Sequence, residues 1–294
     1  MGAGASYPFR FPLGAGLCTL VIDRLKTDGD TRPFLIELGF SDEKITEFQT
    51  QLRFSGITSV DAFLEHRPEF KEVGKAAIAA ELIRVENQDI LWSSENAGGW
   101  MKYLFGHLTA PFDEFGKNRI AFITFNYDRS LEHFLYTSVY NLYGKGDEQT
   151  KSAVERIPLI HLHGRLGFLP WQQSETIGSD KIRPYQPDLT AENIQIAAKN
   201  IKIIHEAMDA ATVPEFVQAR QLLDEAERIY IMGFGFARQN VERLELHKLQ
   251  KSVVATAHDL TVKEYSAIRN AISPNLQLIQ SDCMALMRNN VLLD

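Results

Sequence analysis

The sequence predicts an α/β protein in which a parallel sheet is covered by helices on both faces. Two observations support this fold class. Short apolar segments recur through the second half of the chain, and a segment with helical character follows most of them. A long run of helix-forming residues occupies the first half, which indicates a large helical insert at about residues 33–116, after an amino-terminal glycine turn. We expect a single domain over residues 1–294.

Five apolar segments are predicted strands, because each is short, continuous and bounded by polar or glycine residues. In chain order they are RIAFITF at 119–125, IPLIHLHG at 157–164, RIYIMGF at 228–234, SVVATA at 252–257 and LQLIQS at 276–281. Parallel strands joined through helices place their carboxyl ends at one edge of the sheet, where ligands bind in such folds. We therefore expect the functional residues directly after these strands.

The predicted helices lie before, between and after the strands. They cover residues 14–26 and 131–143, two segments within about 190–227, and three further segments that begin near Asn240, near Thr261 and after the last strand. Within the insert, Ser59 is a helix start signal and Pro68 interrupts the helical pattern. A long polar loop is expected at 168–187.

Composition excludes several classes of protein. The net charge of −7 argues against a generally basic surface for direct nucleic-acid binding, and the apolar runs are too short to span a membrane. We expect no export signal and a cytoplasmic location. Cys18 and Cys283 are the only cysteines, so this chain cannot build a thiolate zinc module, and no zinc is expected.

The chain opens with a turn of small residues: Gly2, Ala3, Gly4, Ala5 and Ser6. Glycine allows a pyrophosphate to approach backbone N–H groups closely, so this turn is a candidate phosphate-binding element. The strand that usually precedes such a turn is missing from the sequence. The alternative interpretation is a flexible tail rich in small residues.

Polar residues follow the first two predicted strands. Asn126 and Asp128 stand after the strand at 119–125, where they are typical helix-capping residues, or where they orient a ribose, a carboxamide or a water. His161 and His163 alternate along the second strand and are therefore expected on one face. A metal site is disfavoured because no third ligand is evident. His163, at the strand tip, is the candidate general base, and His161 is expected to be a core histidine.

These elements, taken in order, resemble the sirtuin-like family of NAD-consuming domains, and SVDAFLEHRPEF resembles the helical insert of its bacterial antiphage-defence branch. The family has a glycine turn, an Asn-x-Asp element, a His-Gly element, a second glycine turn and a final Asp-Cys step, each at a strand end. The matching segments are Gly2 to Ser6, Asn126-Tyr127-Asp128, His163-Gly164, Gly233-Phe234-Gly235 and Asp282-Cys283.

The resemblance implies a Rossmann-like fold and hydrolysis of NAD to nicotinamide and ADP-ribose, in defence by NAD depletion. It implies catalytic roles for Asn126, His163 and Asp128. The two glycine turns, together with Asp282 and Cys283, would bind the dinucleotide. A homo-oligomer and a partner such as a hexameric ATPase translocase are also implied.

Three departures from the family pattern disfavour its protein-deacylating members, one of which is that Phe234 or Gly235 stands where their second glycine turn usually has Thr or Ser. The four-cysteine zinc ribbon cannot be built here, and PFRFPLG replaces the acidic segment after the first turn. The alternatives are an NAD-dependent deacylase, a non-catalytic NAD- or ADP-ribose-binding regulatory subunit, and a scaffold that uses the insert as an assembly surface.

Overall fold

The computed structural model describes residues 1–93, 99–108, 110–203, 212–258, 260–272 and 275–291. These residues form a mixed α/β protein with two small parallel sheets. The helices are α1 (Gly14–Arg24), α2 (Arg32–Glu37), α3 (Asp42–Phe54), α4 (Val60–His66), α5 (Lys71–Ile83), α6 (Gln88–Trp92), α7 (Trp100–Leu108), α8 (Phe112–Phe115), α9 (Ser130–Tyr143), α10 (Asp147–Glu155), α11 (Ala191–Asn200), α12 (Pro214–Glu225), α13 (Arg238–Arg243), α14 (Val262–Ile272) and α15 (Cys283–Asn290).

The strands are β1 (Phe122–Thr124), β2 (Leu159–His161), β3 (Ile229–Ile231), β4 (Val253–Thr256) and β5 (Leu276–Ile279). All five lie inside the segments predicted to be strands, and all pair in parallel. The first sheet has the order β1-β2, with Phe122 opposite Leu159. The second has the order β3-β4-β5, with Ile229 opposite Val253 and Val253 opposite Leu276.

One continuous sheet was expected, and the structure has two, because the backbone of Met1 and Gly2 runs between β1 and β3. The amino group of Met1 donates to the Ile123 carbonyl at 2.6 Å, and the Phe125 N–H donates to the Met1 carbonyl at 3.1 Å. On the other side, the Gly2 N–H donates to the Met232 carbonyl at 3.0 Å. The two sheets are thereby joined through the amino-terminal residues rather than by direct strand pairing.

The predicted insert is helical and contains α2 to α8. The Ser59 side chain caps α4 by accepting from the Ala62 N–H, and a 3-10 helix at Pro68–Phe70 interrupts the pattern where proline was expected to do so. Helix α5 is buried from Val73 to Ile83 and packs against α11 and α1. Helix α10 was not predicted. Its sequence has few apolar residues, so the hydrophobic pattern is weak there.

A buried ion cluster ties the insert to the strand-end region. The Glu86 carboxylate, which is inaccessible to solvent, accepts from the Arg129 guanidinium at 2.8 and 2.6 Å, and it also contacts Arg183. Arg129 follows Asp128 directly, and Arg183 belongs to the long loop expected at 168–187. This loop is therefore fixed against the insert by charge pairs.

No helix among the described residues is long and apolar enough to cross a membrane. Residue 259, which comes shortly after the predicted strand at 252–257, lies outside the described residues, as do residues 204–211 of the predicted helical stretch at 190–227.

Candidate functional site

The two glycine turns pack against each other at the carboxyl ends of β1 and β3. The Gly4 N–H donates to the Gly233 carbonyl at 2.9 Å. A Cβ atom at Gly4 would lie 2.8 Å from the Gly233 Cα, and a Cβ at Gly2 would lie 2.7 Å from the Gly233 carbonyl oxygen. Gly233 has φ +59°, a left-handed conformation that favours glycine. The close approach of the turns thus requires these glycines, whether or not a phosphate binds there.

The backbone N–H groups of the first turn are largely engaged within the protein. Those of Gly2, Gly4, Ala5 and Ser6 donate to carbonyl oxygens at 2.9 to 3.1 Å. A pyrophosphate beside this turn therefore finds few free backbone donors in this conformation. The phosphate-binding role of residues 2–6 stays a prediction.

Asn126 and Asp128 are held directly against the first turn. The Asn126 amide donates through Nδ2 to the Gly2 carbonyl and to the Ser6 hydroxyl, both at 2.9 Å. The Ser6 hydroxyl in turn donates to Asp128 at 2.6 Å, and the other Asp128 oxygen accepts from the Ser130 N–H at 3.2 Å. Asn126 Oδ1 has no hydrogen-bond partner among the described residues, so this oxygen is available to a ligand.

Burial dominates the electrostatics of Asp128. Desolvation raises the pKa of its carboxyl above the ordinary value, while the hydrogen bonds from Ser6 and Ser130 oppose that shift. The contact with Ser130, at the start of α9, also shows that Asp128 serves the turn into that helix. The capping and ligand-binding interpretations are therefore compatible for this residue.

His161 is a core histidine with both ring nitrogens bonded. Its Nδ1 lies 2.9 Å from the Asn126 carbonyl oxygen, and its Nε2 lies 2.9 Å from Glu132. Burial acts to raise the pKa of Glu132, but the contacts with His161 and Arg165 outweigh it and lower that pKa to about 2. His161, Glu132, Asn126 and Asp128 help to line a small pocket of about 10 Å³, which is close to the room that one water needs.

His163 lies two residues beyond the end of β2 and has different surroundings from His161. Its ring lies edge-on to Phe125 with centroids 5.3 Å apart, and Phe216 is 6.5 Å away. Nε2 is buried and has no hydrogen-bond partner among the described residues. Burial, with a contribution from the Arg243 charge, lowers the pKa of His163 to about 4. The imidazole is consequently neutral at pH 7 and able to accept a proton.

Of the remaining predicted residues, Cys283 contacts the first turn, and no contact between Asp282 and the turns is seen among the described residues. Phe234 stacks on Phe125 with centroids 5.1 Å apart, whereas a Cβ atom at Gly235 would meet no heavy atom within 4 Å. Asp282 caps α15 by accepting from the Ala285 N–H at 2.7 Å. The Cys283 sulfur lies 3.9 Å from the Gly4 carbonyl oxygen, and burial raises the pKa of this thiol to about 12. The adenosine-binding role of Asp282 and Cys283 stays a prediction.

Sequence reasoning missed the contribution of the insert. Trp100 of α7 donates through its indole nitrogen to the Ala5 carbonyl at 2.8 Å. Tyr127, between the two predicted site residues, donates its hydroxyl to Asp61 of α4. No local pattern indicates either contact, because 95 residues separate the first pair and 66 the second. Among the described residues, no group of three or more His, Cys, Asp or Glu side chains is arranged to hold a metal ion.

Comparison with family models, curated proteins and solved structures finds no significant match to this chain.

Proposed function

We propose that this chain is a sirtuin-like NAD hydrolase that cleaves the nicotinamide–ribose bond to give nicotinamide and ADP-ribose. One observation carries the proposal: the first glycine turn, Asn126 with Asp128, and the second glycine turn contact one another where parallel strands end. Ligands of open parallel sheets bind at such an edge. Asn126 and His163 each keep a polar atom without a partner among the described residues, which supports a ligand site rather than a purely structural cluster.

The proposal includes a Rossmann-like arrangement of the two sheets. Met1 and Gly2 bond to β1 on one side and to Met232, directly after β3, on the other. A single sheet with the order β2-β1-amino terminus-β3-β4-β5 would place the first glycine turn at its centre. That position is where the strand order of a doubly wound sheet reverses.

The reaction needs no general acid from the protein. The nicotinamide of NAD carries a positive charge and departs as a neutral molecule, so no proton donor to the leaving group is needed. The transition state resembles the oxocarbenium ion of glycoside hydrolysis. Asn126 Oδ1 would orient the adjoining ribose or the attacking water, neutral His163 would accept a proton from the water or a ribose hydroxyl, and Asp128 would stabilise positive charge.

The test is nicotinamide release from NAD by the purified chain, with and without an acetyl-lysine peptide. Wild-type protein is expected to release nicotinamide without peptide, and His163→Ala and Asn126→Ala are expected to lose turnover. His247→Ala is the matched control, because His247 is exposed. Release that requires the peptide would identify a deacylase instead. Full activity of His163→Ala would remove this residue from the mechanism.

The biological setting belongs to the same proposal and rests on the resemblance alone. It comprises a cytoplasmic homo-oligomer in antiphage defence, with a partner such as a hexameric ATPase translocase. If NAD binds but no nicotinamide is released, adding a co-expressed partner separates a regulatory NAD-binding subunit from an enzyme that needs activation.

A further inference from the structure

Helix α4 of the insert carries two carboxylates, and each contacts a residue that neighbours His163 or acts on its charge. Asp61 and Glu65 are one helical turn apart, so they share one face of α4. Asp61 accepts the Tyr127 hydroxyl, and Glu65 Oε1 accepts from both terminal nitrogens of Arg243 at 3.3 Å. None of these contacts was expected from the sequence.

Two polar atoms in this region lack a hydrogen-bond partner among the described residues. The Glu65 side chain is only 6% exposed, and its Oε2 is buried without a donor. His163 Nε2 is buried and unpartnered in the same way. A buried carboxylate oxygen with no donor is costly, so each such atom in a folded protein calls for a specific explanation. A bound ligand that supplies the missing donors is one.

The two unpartnered atoms belong to residues that are linked through Arg243 and Tyr127. Arg243 pairs with Glu65, and its charge acts on His163. Tyr127 connects the same two regions, since its ring centroid lies 6.4 Å from that of His163 and its hydroxyl contacts Asp61, one turn before Glu65. Tyr127 and Arg243 thus connect His163 to the α4 carboxylates, and a ligand beside His163 would have to extend past them to reach Glu65.

The hydrogen-bonding capacity of Glu65 Oε2 and His163 Nε2 indicates which class of ligand could bind there. An ionised carboxylate only accepts hydrogen bonds, and a neutral imidazole nitrogen accepts or donates one. Neighbouring hydroxyl groups on a sugar satisfy both atoms, whereas an ionised phosphate or carboxylate group only accepts hydrogen bonds and would leave Glu65 Oε2 without a donor. We propose that Glu65 is a sugar-binding residue whose Oε2 accepts a hydrogen bond from a hydroxyl of the ribose attached to nicotinamide. This inference rests on the proposed NAD hydrolase function and assigns the insert a part in substrate binding.

ADP-ribose and ADP test the inference, because they differ by the ribose that Glu65 would contact. Their affinities for the purified chain are measured by calorimetry. Wild-type protein is expected to bind ADP-ribose more tightly than ADP. Glu65→Gln retains the shape of the side chain and an acceptor for Arg243, and it is expected to weaken ADP-ribose roughly tenfold while leaving ADP unchanged.

The matched control is Glu242→Gln. Glu242 lies on α13 and pairs with Arg238 at 2.7 Å, but the pair is exposed. This variant is expected to retain the wild-type preference for ADP-ribose.

Three results would overturn the inference: no preference for ADP-ribose in the wild type, an unchanged preference in Glu65→Gln, or an equal loss of both ligands in Glu65→Gln, which would mark a structural role. Failure of the hydrolase proposal has a separate signature, since the wild-type chain would then release no nicotinamide from NAD, whatever Glu65→Gln does to binding.

Discussion

Replacing Gly233 by alanine tests whether the two glycine turns depend on their close contact. A Cβ atom at this position would lie 2.0 Å from the Ala5 nitrogen and 2.3 Å from the Gly4 carbonyl carbon. Both are backbone atoms, so no flexible side chain can move aside. The turns must separate, and the bond from the Gly4 N–H to the Gly233 carbonyl is lost with the contact.

The expected cost has two parts. A left-handed conformation costs an L-residue about 1–2 kcal/mol relative to glycine. Separation of the turns gives up the bond from Gly4 and the neighbouring bond from the Gly2 N–H to the Met232 carbonyl, each with a net value of about 1 kcal/mol. Gly233→Ala is therefore expected to lower the free energy of unfolding by about 3–4 kcal/mol.

Gly144 provides a matched control, because it has the same φ of +59° and a Cβ atom there would meet no heavy atom within 4 Å. Gly144→Ala is expected to cost only the conformational part, about 1–2 kcal/mol. The effect of alanine on the unfolded chain is the same in both variants and cancels in the difference. Urea unfolding of the two variants and the wild type measures that difference. Equal destabilisation would refute the turn–turn contact as the reason for glycine at 233.

Three further predictions concern buried ionisable groups. Glu86→Ala leaves two arginines buried without their counter-ion and is expected to destabilise the protein by about 3–5 kcal/mol in urea unfolding, whereas a loss below about 1 kcal/mol would show that the pairs contribute little. Glu132 has a folded pKa of about 2, below its ordinary 4.5, so its ionisation stabilises the fold above about pH 4.5 and that contribution disappears as the pH falls towards 2. Acid unfolding of Glu132→Gln should accordingly show a weaker dependence on pH in this window than the wild type. His163, with a pKa of about 4, stays neutral between pH 8 and 5, so nicotinamide release should not fall until the pH approaches 4, and an inflection near 6.5 would contradict this environment.

The strands were predictable from the sequence because each is a short apolar run bounded by polar or glycine residues. Their pairing was only partly predictable. β1 and β3 do not bond to each other, because Met1 and Gly2 occupy the space between them. A segment of two residues is too short to show a hydrophobic period, so the sequence did not indicate this arrangement. The single continuous sheet was inferred from alternation of strands and helices, which fixes the direction of strands but not which edges meet.

The residues of the candidate site that directly follow strands were predictable from the sequence. Asn126 and Asp128 meet the first glycine turn as strand-end residues of a parallel sheet should. Glu65 and Arg243 were not predictable, since 178 residues separate them and each is an ordinary charged residue of a helix. The alternation of His161 and His163 did not indicate that the two rings have different surroundings, with both nitrogens of His161 bonded and Nε2 of His163 without a partner among the described residues. β2 ends at His161, so His163 lies two residues beyond the strand.

The helical insert is part of the candidate site rather than an appendage to the sheets. Three residues of the insert make polar side-chain contacts with the strand-end region. Asp61 of α4 contacts Tyr127, Glu86 after α5 contacts Arg129, and Trp100 of α7 contacts Ala5. Two of these contacts are made by Tyr127 and Arg129, the residues on either side of Asp128 in the sequence, and the third holds the first glycine turn. The positions of the predicted catalytic groups therefore depend on the packing of α4 and α7 and on the Glu86 ion cluster. A change in the insert that moves α4 would displace Glu65 and, through Asp61, the Tyr127 side chain. The affinity for the proposed substrate NAD and the geometry of the Asn126 segment should therefore change together.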